Sequence, residues 1–421
     1  METFPKRVDV AIIGGGAIGL CCAYYLNRLG REVAVLERDT LHSGCSGENA
    51  GLIVPSHIEP LANPEVLSQG LRWLFRPGSP FRIKPRLDPA LFSWLLAFRK
   101  ACNPKRMEAN IPTLHQLLQA SRALFEELSE DRSLNFRLHR NGLLMLHHSS
   151  AGEAHHLQMA KLAAECGVPV EILNRKALFQ KEPLAPPQSS GGIYFPQDAH
   201  LNPGAFLNAL AKCLRQKDAH LLEATSVTGF QTKGNRITGI RTSSGDLEVD
   251  QVILAAGSWS PKIATSLNLK LPIQAGKGYT LTVPTDRALP RIPMLLAEAR
   301  VSITPLQGAL RIGGTLELAG LDPAISMSRT TQLQATARAY LGDAAPQSWP
   351  ANAFWSGFRP CTPDGLPLLG WSKTYPNLAI ASGHAMLGMS LAPISGKLIA
   401  QMMDGQPTQV PLDRLAPHRF Y

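Results

Sequence analysis

Residues 8–13, apolar except for Asp9, make a run too short for a helix, and the six that follow, Gly14-Gly15-Gly16-Ala17-Ile18-Gly19, are almost all small. That pattern predicts a buried strand running into a glycine turn. Apolar positions then recur at helical spacing as far as Leu29, Gly30 stops them, and a second apolar run over 32–36 ends at Glu37. Together these make a complete βαβ unit. Hydropathy alone would score residues 8–26 as a membrane span. However, Asp9 and three consecutive glycines interrupt the stretch, which also lacks the basic flank and cleavage pattern of a signal peptide.

Farther along, Asn63-Pro64 and Asp88-Pro89 are helix-start signals, and Leu114, Leu117, Leu118, Ser121, Phe125 and Leu128 fall on one helical face. Helices are predicted over 151–166, 203–215 and 330–341, with a last one running to Met403. Strands are predicted over 142–147, 168–173, 271–283, 301–305, 310–318 and 378–381. Three short strands, at 225–232, 236–242 and 247–249, are joined by Lys233-Gly234-Asn235 and Ser243-Ser244-Gly245-Asp246. They form a β-meander that feeds the apolar strand 252–255 and the turn Ala256-Gly257. Beyond Trp355 the pattern reads as turns.

Composition narrows the class. Of the 421 residues 44% are hydrophobic and only 18% are charged, with 35 Gly and 33 Pro. Such a chain has material for a large core and is not disordered, collagen-like or coiled-coil. The seven cysteines, Cys21, Cys22, Cys45, Cys102, Cys166, Cys213 and Cys361, are odd in number and irregularly spaced. No disulfide framework or zinc site is indicated, and a reducing, cytoplasmic compartment fits. His147-His148 and His155-His156 are adjacent pairs without the i, i+4 spacing of a metal site.

Gly14-x-Gly16-x-x-Gly19 gains its meaning from following a strand and opening a helix. Gly14 permits the tight turn, Gly16 lets the backbone approach a pyrophosphate, and Gly19 lets helix and strand pack closely. Glu37, 18 residues after Gly19, has the position and acceptor chemistry for the ribose hydroxyls of an adenosine, and its charge disfavours a 2′-phosphate. Two further segments bear on the cofactor: the small-residue loop Ser43-Gly44-Cys45-Ser46-Gly47-Glu48-Asn49-Ala50-Gly51-Leu52, and Leu254-Ala255-Ala256-Gly257-Ser258-Trp259 after the meander.

With these segments and the string Gly357-Phe358-Arg359-Pro360-Cys361-Thr362-Pro363-Asp364-Gly365-Leu366-Pro367, the chain resembles the D-amino acid oxidase/glycine oxidase superfamily, and within it the bacterial D-amino acid dehydrogenases. Gly276-Lys277-Gly278-Tyr279, the segment 311–315 and Gly383-His384 with Gly388 strengthen the likeness, which covers essentially the whole chain.

The resemblance implies an α/β fold with a two-dinucleotide, Rossmann-like FAD-binding domain. That domain is expected to be discontinuous, over 1–60, 195–268 and 345–421. A second, α+β substrate domain on an antiparallel sheet is expected over 61–194 and 269–344, including a helical insertion at 61–130. The resemblance places Gly14, Gly16, Ala17, Ile18, Gly19, Glu37, Arg38, Cys45, Ser46, Asn49, Ala50, Gly51, Leu52, Val227, Ala256, Gly257, Trp259 and Gly357 against FAD. It places Gly383, Met386, Leu387, Gly388 and Met389 at the flavin edge, with Ser390 beside them. Relatives with covalent flavin carry a Cys seven residues before the Asp of Thr-Pro-Asp, where this chain has Gly357, so FAD is expected to be non-covalent.

The implied reaction is hydride loss from Cα of a D-amino acid, D-alanine-like or D-proline and hydroxy-D-proline. Electrons would pass to a quinone or another respiratory acceptor. Arg359 is the expected anchor for the substrate carboxylate, because a planar guanidinium matches it bidentately. Tyr279 either faces the substrate or is a core tyrosine. His384 either bonds near the flavin or makes a structural contact. Lys277 reads as an exposed strand lysine. An O₂-using glycine or D-amino acid oxidase is the alternative, as is a tRNA-modifying flavoprotein.

Formal net charge is +10. Between Arg72 and Arg106 nine basic residues face one acid, Asp88, a net of +8. They alternate with Trp73, Phe75, Phe81, Phe92, Trp94 and Phe98. Basic and aromatic residues interleaved on helices suit an anionic membrane surface, here the inner face of the plasma membrane. An ordinary solvated face is the alternative. Charge set among apolar residues argues against a nucleic-acid partner.

Overall fold

The computed structural model describes residues 4–41, 43–64, 81–342, 345, 349–350 and 353–421. The N-terminal unit forms as predicted: strand Arg7–Ile13, helix Ala17–Arg28, strand Val33–Leu36. These strands are parallel, and His220–Leu222 adds a third on the same edge. On the other side of Arg7–Ile13 lies the ten-residue strand Gly245–Leu254, also parallel. The meander's last predicted strand, 247–249, and the apolar strand 252–255 are thus one, Gly245–Leu254. Its first half pairs antiparallel with Arg236–Thr242, whereas its second half pairs parallel with Leu378–Ser382. The alternate side chains of Arg7–Ile13 separate two cores. Val10 and Ile12 pack under the helices Ala17–Arg28, Pro203–Gln216 and Ala392–Met403, whereas Ala11 and Ile13 pack towards the meander. Burial on both faces is why these strands read as continuous apolar runs.

A nine-stranded second sheet begins, in spatial order, with Phe354–Cys361, Gln274–Pro284, Ala309–Leu318 and Val301–Leu306. It continues through Met294–Leu296, Leu143–His147 and Gly191–Phe195 to Glu171–Asn174. The sheet is antiparallel except where Met294–Leu296 meets Leu143–His147 and where Phe81–Ile83 joins Ala309–Leu318. The segment read as turns beyond Trp355 is the strand Phe354–Cys361. It lies in this second sheet, although its sequence position placed it with the FAD-binding segments. A small third sheet ties Leu52–Ile53 to Ala199–Leu201 and Leu138–His139.

Asp88 caps the helix Pro89–Ala101 through Ala90 and Leu91 N–H, and Asn103 caps Pro104–Glu130. In the first, Leu91 and Trp94 turn inward while Phe92 and Leu96 are exposed. The Trp94 indole N–H donates to Cys361 O at 2.9 Å. The helix expected after Asn63, and with it Arg72, Trp73, Phe75 and Arg76, lies outside the described residues. No described helix is long and apolar enough to cross a membrane, and the apolar 8–26 stretch is strand, turn and helix.

Candidate active site

At Gly14 (φ +111°) a Cβ would stand 2.6 Å from Ala255 O, and at Gly19 it would stand 1.9 Å from Gly14 O. Only hydrogen fits at either position, so the turn stays close to the strand after the meander and the helix N-terminus stays open. Glu37 secures this turn, accepting from Gly15 N–H at 2.8 Å through Oε2 and from Asp39 N–H at 3.0 Å through Oε1. Ser46 Oγ accepts from Ala17 N–H at 3.0 Å, bringing the small-residue loop over the glycine turn. Within that loop Asn49 Nδ2 donates to Ser46 O, and Asn49 Oδ1 accepts from Gly51 N–H. Arg38 lies over the Trp259 ring at 4.5 Å.

A cleft of about 1060 Å³ runs between the two large sheets. It is bordered by the whole set of residues assigned from sequence to FAD, except Gly19 and Gly383, which stand behind it. Gly383 (φ +82°) turns the chain from Leu378–Ser382 into the short Ala385–Leu387 turn that precedes the last helix. The cradle at Gly14 and Gly19, the helix N-terminus bordering the cleft and the aligned loops fit a dinucleotide such as FAD.

Arg311 was noticed in the sequence only as part of a matching segment, yet it clamps the loop. Only 5% exposed, it donates to Asn49 O at 2.8 Å, Glu48 Oε2 at 2.6 Å, Gly47 O at 3.4 Å and Thr282 Oγ1 at 2.9 Å. One cation on the second sheet therefore holds three consecutive loop residues of the first unit. Cys45 Sγ adds a contact from the same loop, accepting from Phe358 N–H at 3.1 Å.

Arg359 follows Phe358. Its strand pairs with Gln274–Pro284 in the register Gly276↔Arg359 and Gly278↔Gly357. The side chain therefore lies over Gly276 and Gly278, and a Cβ on Gly278 would stand 2.2 Å from Nη1. Nη1 donates to Thr315 O at 2.8 Å, and among the described residues no carboxylate pairs with this guanidinium. Burial lowers its pKa. Thr315 itself has φ +64°, a rare value for a β-branched residue, and it carries the carbonyl that holds Arg359.

The register separates Arg359 from Tyr279. Opposed residues share a face and neighbours alternate, so Tyr279, paired with Ser356, projects from the face opposite Arg359. There its ring is 1% exposed in the second core with Leu281, Leu333 and Ala337, and its hydroxyl donates to Glu317 Oε2 at 3.2 Å. Tyr279 also borders the cleft, so it joins that core to the cleft wall. Lys277, expected to be exposed, is 2% exposed on that same face, with Nζ donating to the carbonyls of Asp322 and Ala324. The His384 ring bonds Ser395 Oγ through Nε2 at 2.8 Å, and burial pulls its pKa down to about 3, so the buried ring is neutral and engaged with the last helix. Cys361, the cysteine nearest Arg359, is buried, and its thiol is pushed up to about 12.

Three groups bordering or backing the cleft carried no sequence signal: Ser56, His57 and Asp198. Asp198 accepts from Ser56 N–H at 3.1 Å and from Ser56 Oγ–H at 2.6 Å, and Ser56 Oγ lies 3.2 Å from His57 Nδ1. His147 and His156 are both buried and meet through Nδ1 at 2.8 Å; no described group of three His, Cys, Asp or Glu could hold a metal.

Residues 9–402 match the family described as DAO, FAD dependent oxidoreductase. A D-amino acid dehydrogenase from Granulibacter bethesdensis is 33% identical over 417 residues, 98% of this chain and 99% of that protein. One from Bradyrhizobium diazoefficiens is 32% identical over 424 residues, again 98% and 99%. Among solved structures, glycine oxidase from Geobacillus kaustophilus superposes with a TM-score of 0.80 at 25% identity, covering 99% of each chain. L-proline dehydrogenase from P. horikoshii, at 20% identity and a TM-score of 0.77, shares the fold.

Proposed function

Because the chain belongs to the DAO family of FAD-dependent oxidoreductases, we propose that it oxidises D-amino acids at Cα and passes the electrons to a quinone or another acceptor besides O₂. The D configuration is supported by the names of relatives matched over nearly the full chain. Bound FAD supplies the hydride acceptor. Gly14, Gly16 and Ala17 would hold its pyrophosphate at the helix N-terminus, and Glu37 its ribose. Met386 to Met389 would border the edge where negative charge develops.

The observation that carries the reading is the Arg359 guanidinium, partly buried in the cleft with a single acceptor among the described residues, Thr315 O. A cation held this way favours an anionic ligand, and its remaining N–H groups match a carboxylate. Holding the carboxylate fixes Cα, so proximity does most of the catalytic work. Released imine would hydrolyse to keto acid and ammonia, or open if cyclic.

Anaerobic bleaching of bound flavin by D-, L- and N-methyl amino acids tests this directly. D-substrates are expected to bleach it; bleaching by L-substrates alone overturns the stereochemistry. Arg359→Ala is expected to lower kcat/KM by roughly 100-fold or more while FAD stays bound. Likeness to glycine oxidase favours one second reading, an O₂-using oxidase; fast stoichiometric peroxide release in turnover assays would select it. We place the enzyme at an anionic membrane surface through the basic, aromatic stretch 72–106. Exposed Phe92 and Leu96 beside Arg99 and Lys100 support this.

A further inference from the structure

We propose that His57 presents its Nε2 to the cleft as a fixed hydrogen-bond acceptor for the substrate amino group, oriented by a hydrogen-bonded chain through Ser56 to Asp198. This rests on the amino-acid reading above and names a residue that selects the amine, as Arg359 selects the carboxylate.

The polarity of the chain follows from its acceptors. Asp198 is fully buried, and when ionised it accepts only. It takes both the N–H and the hydroxyl proton of Ser56, at 3.1 and 2.6 Å. The Ser56 oxygen has then spent its proton and can only accept from His57, so Nδ1 must carry the ring hydrogen. A neutral imidazole protonated at Nδ1 exposes a bare lone pair at Nε2. His57 is part-exposed and borders the cleft, and burial holds its pKa down to about 4, so the ring is neutral. Asp198 has no ion-pair partner among the described residues. The Arg122 charge acts on it only at a distance, because Arg122 itself bonds Glu126 and Gln197 O. A buried carboxylate engaged entirely by one serine is costly unless that serine's orientation matters.

The same chain reverses with pH. Burial raises Asp198 to about 7. Once protonated it donates to Ser56, which turns its own proton to His57 Nδ1. The ring hydrogen must then sit on Nε2, and the acceptor becomes a donor facing an ammonium. Amine binding is therefore present above about pH 7 and lost below it, while His57 stays uncharged. The other ionisable groups bordering the cleft nearby are Glu59, bonded to Asn63, His155 on Ser150–Glu165, Arg300 and Arg359. Both arginines keep their charge throughout. The Asp198→Asn variant assigns the step to Asp198 rather than to His155.

The test uses the FAD-loaded enzyme: D-alanine binding is taken from the concentration dependence of the anaerobic flavin reduction rate, and binding of propionate, which lacks the amine, from the flavin absorbance on titration. His57→Leu is expected to weaken D-alanine binding about tenfold or more and propionate less than about twofold. Ser56→Ala, which leaves His57 in place, is expected to show the same pattern at smaller size, with Ser56→Thr restoring it. Asp198→Asn is expected to remove the pH step near 7 in D-alanine binding. Equal losses for both ligands, or a weakened FAD Kd, make His57 a packing or cofactor residue and overturn the proposal. Unchanged D-alanine binding in His57→Leu, or a pH step that survives in Asp198→Asn, overturns it as well. If the wild type binds propionate but no D-amino acid bleaches its flavin, the substrate reading has failed instead, which is a different result.

Discussion

Arg359 borders the cleft, whereas Arg311 is buried beneath the loop that borders it, and the two do opposite things. Arg311 spends four N–H groups on Gly47, Glu48, Asn49 and Thr282, whereas Arg359, among the described residues, is held by one carbonyl and keeps the rest of its fork. Arg311→Met is therefore expected to release the 43–52 loop and raise the FAD Kd about tenfold or more, read by flavin fluorescence on dilution, since it also strips buried carbonyls of their donor. That Arg359 would border the cleft was legible from its motif. The role of Arg311 was not, because nothing local in 311–315 reveals contacts to residues over 260 positions away. Tyr279 was ambiguous for a different reason. Which face a strand residue takes depends on register, and the pairing of Gln274–Pro284 with Ala309–Leu318 shifts between Lys277 and Tyr279. Asp198 and Ser56 stand 142 positions apart, so their pairing is a product of the fold alone.

Among elements, the βαβ unit was the most legible because its determinants are local: apolar runs, three glycines and one carboxylate. Gly19→Ala is expected to force Gly14 and the helix apart, since the added methyl would sit 1.9 Å from Gly14 O; lost FAD retention and a lower Tm would report it. The strand Phe354–Cys361 was the least legible. Gly357 and Pro360 read as turn residues, yet Gly357 sits where a Cβ would collide with the Trp355 ring at 1.9 Å, and Pro360 lies toward the end of the strand. The Pro89–Ala101 helix was located correctly from Asp88-Pro89, but its aromatics divide. Trp94 anchors the helix to Cys361 O, and Phe92 and Leu96 face outward. Phe92→Ser with Leu96→Ser is expected to reduce sedimentation with anionic vesicles several-fold and leave dye-linked turnover intact.

For the molecule as a whole, buried histidines dominate the acid response. His57, His156 and His200 are lowered to about 4, and His384 to about 3. Their unfolded values lie near 6.5, so below that pH the unfolded chain binds protons the native protein refuses. Stability is expected to be full above about pH 6.5 and to fall towards pH 4, seen as a declining Tm. Asp198, raised to about 7, works in the opposite sense over the same interval but is one group against four. The sheet holds a consequence for synthesis. The strand Gly245–Leu254 is left half unpaired until Leu378–Ser382 arrives, and the cleft is bordered by residues from Ile13 to Met389. A ribosome-bound chain has therefore made nine-tenths of its length before any complete cofactor site exists. Flavin loading must then be a late event, and nascent chains arrested before residue 378 should leave the ribosome colourless.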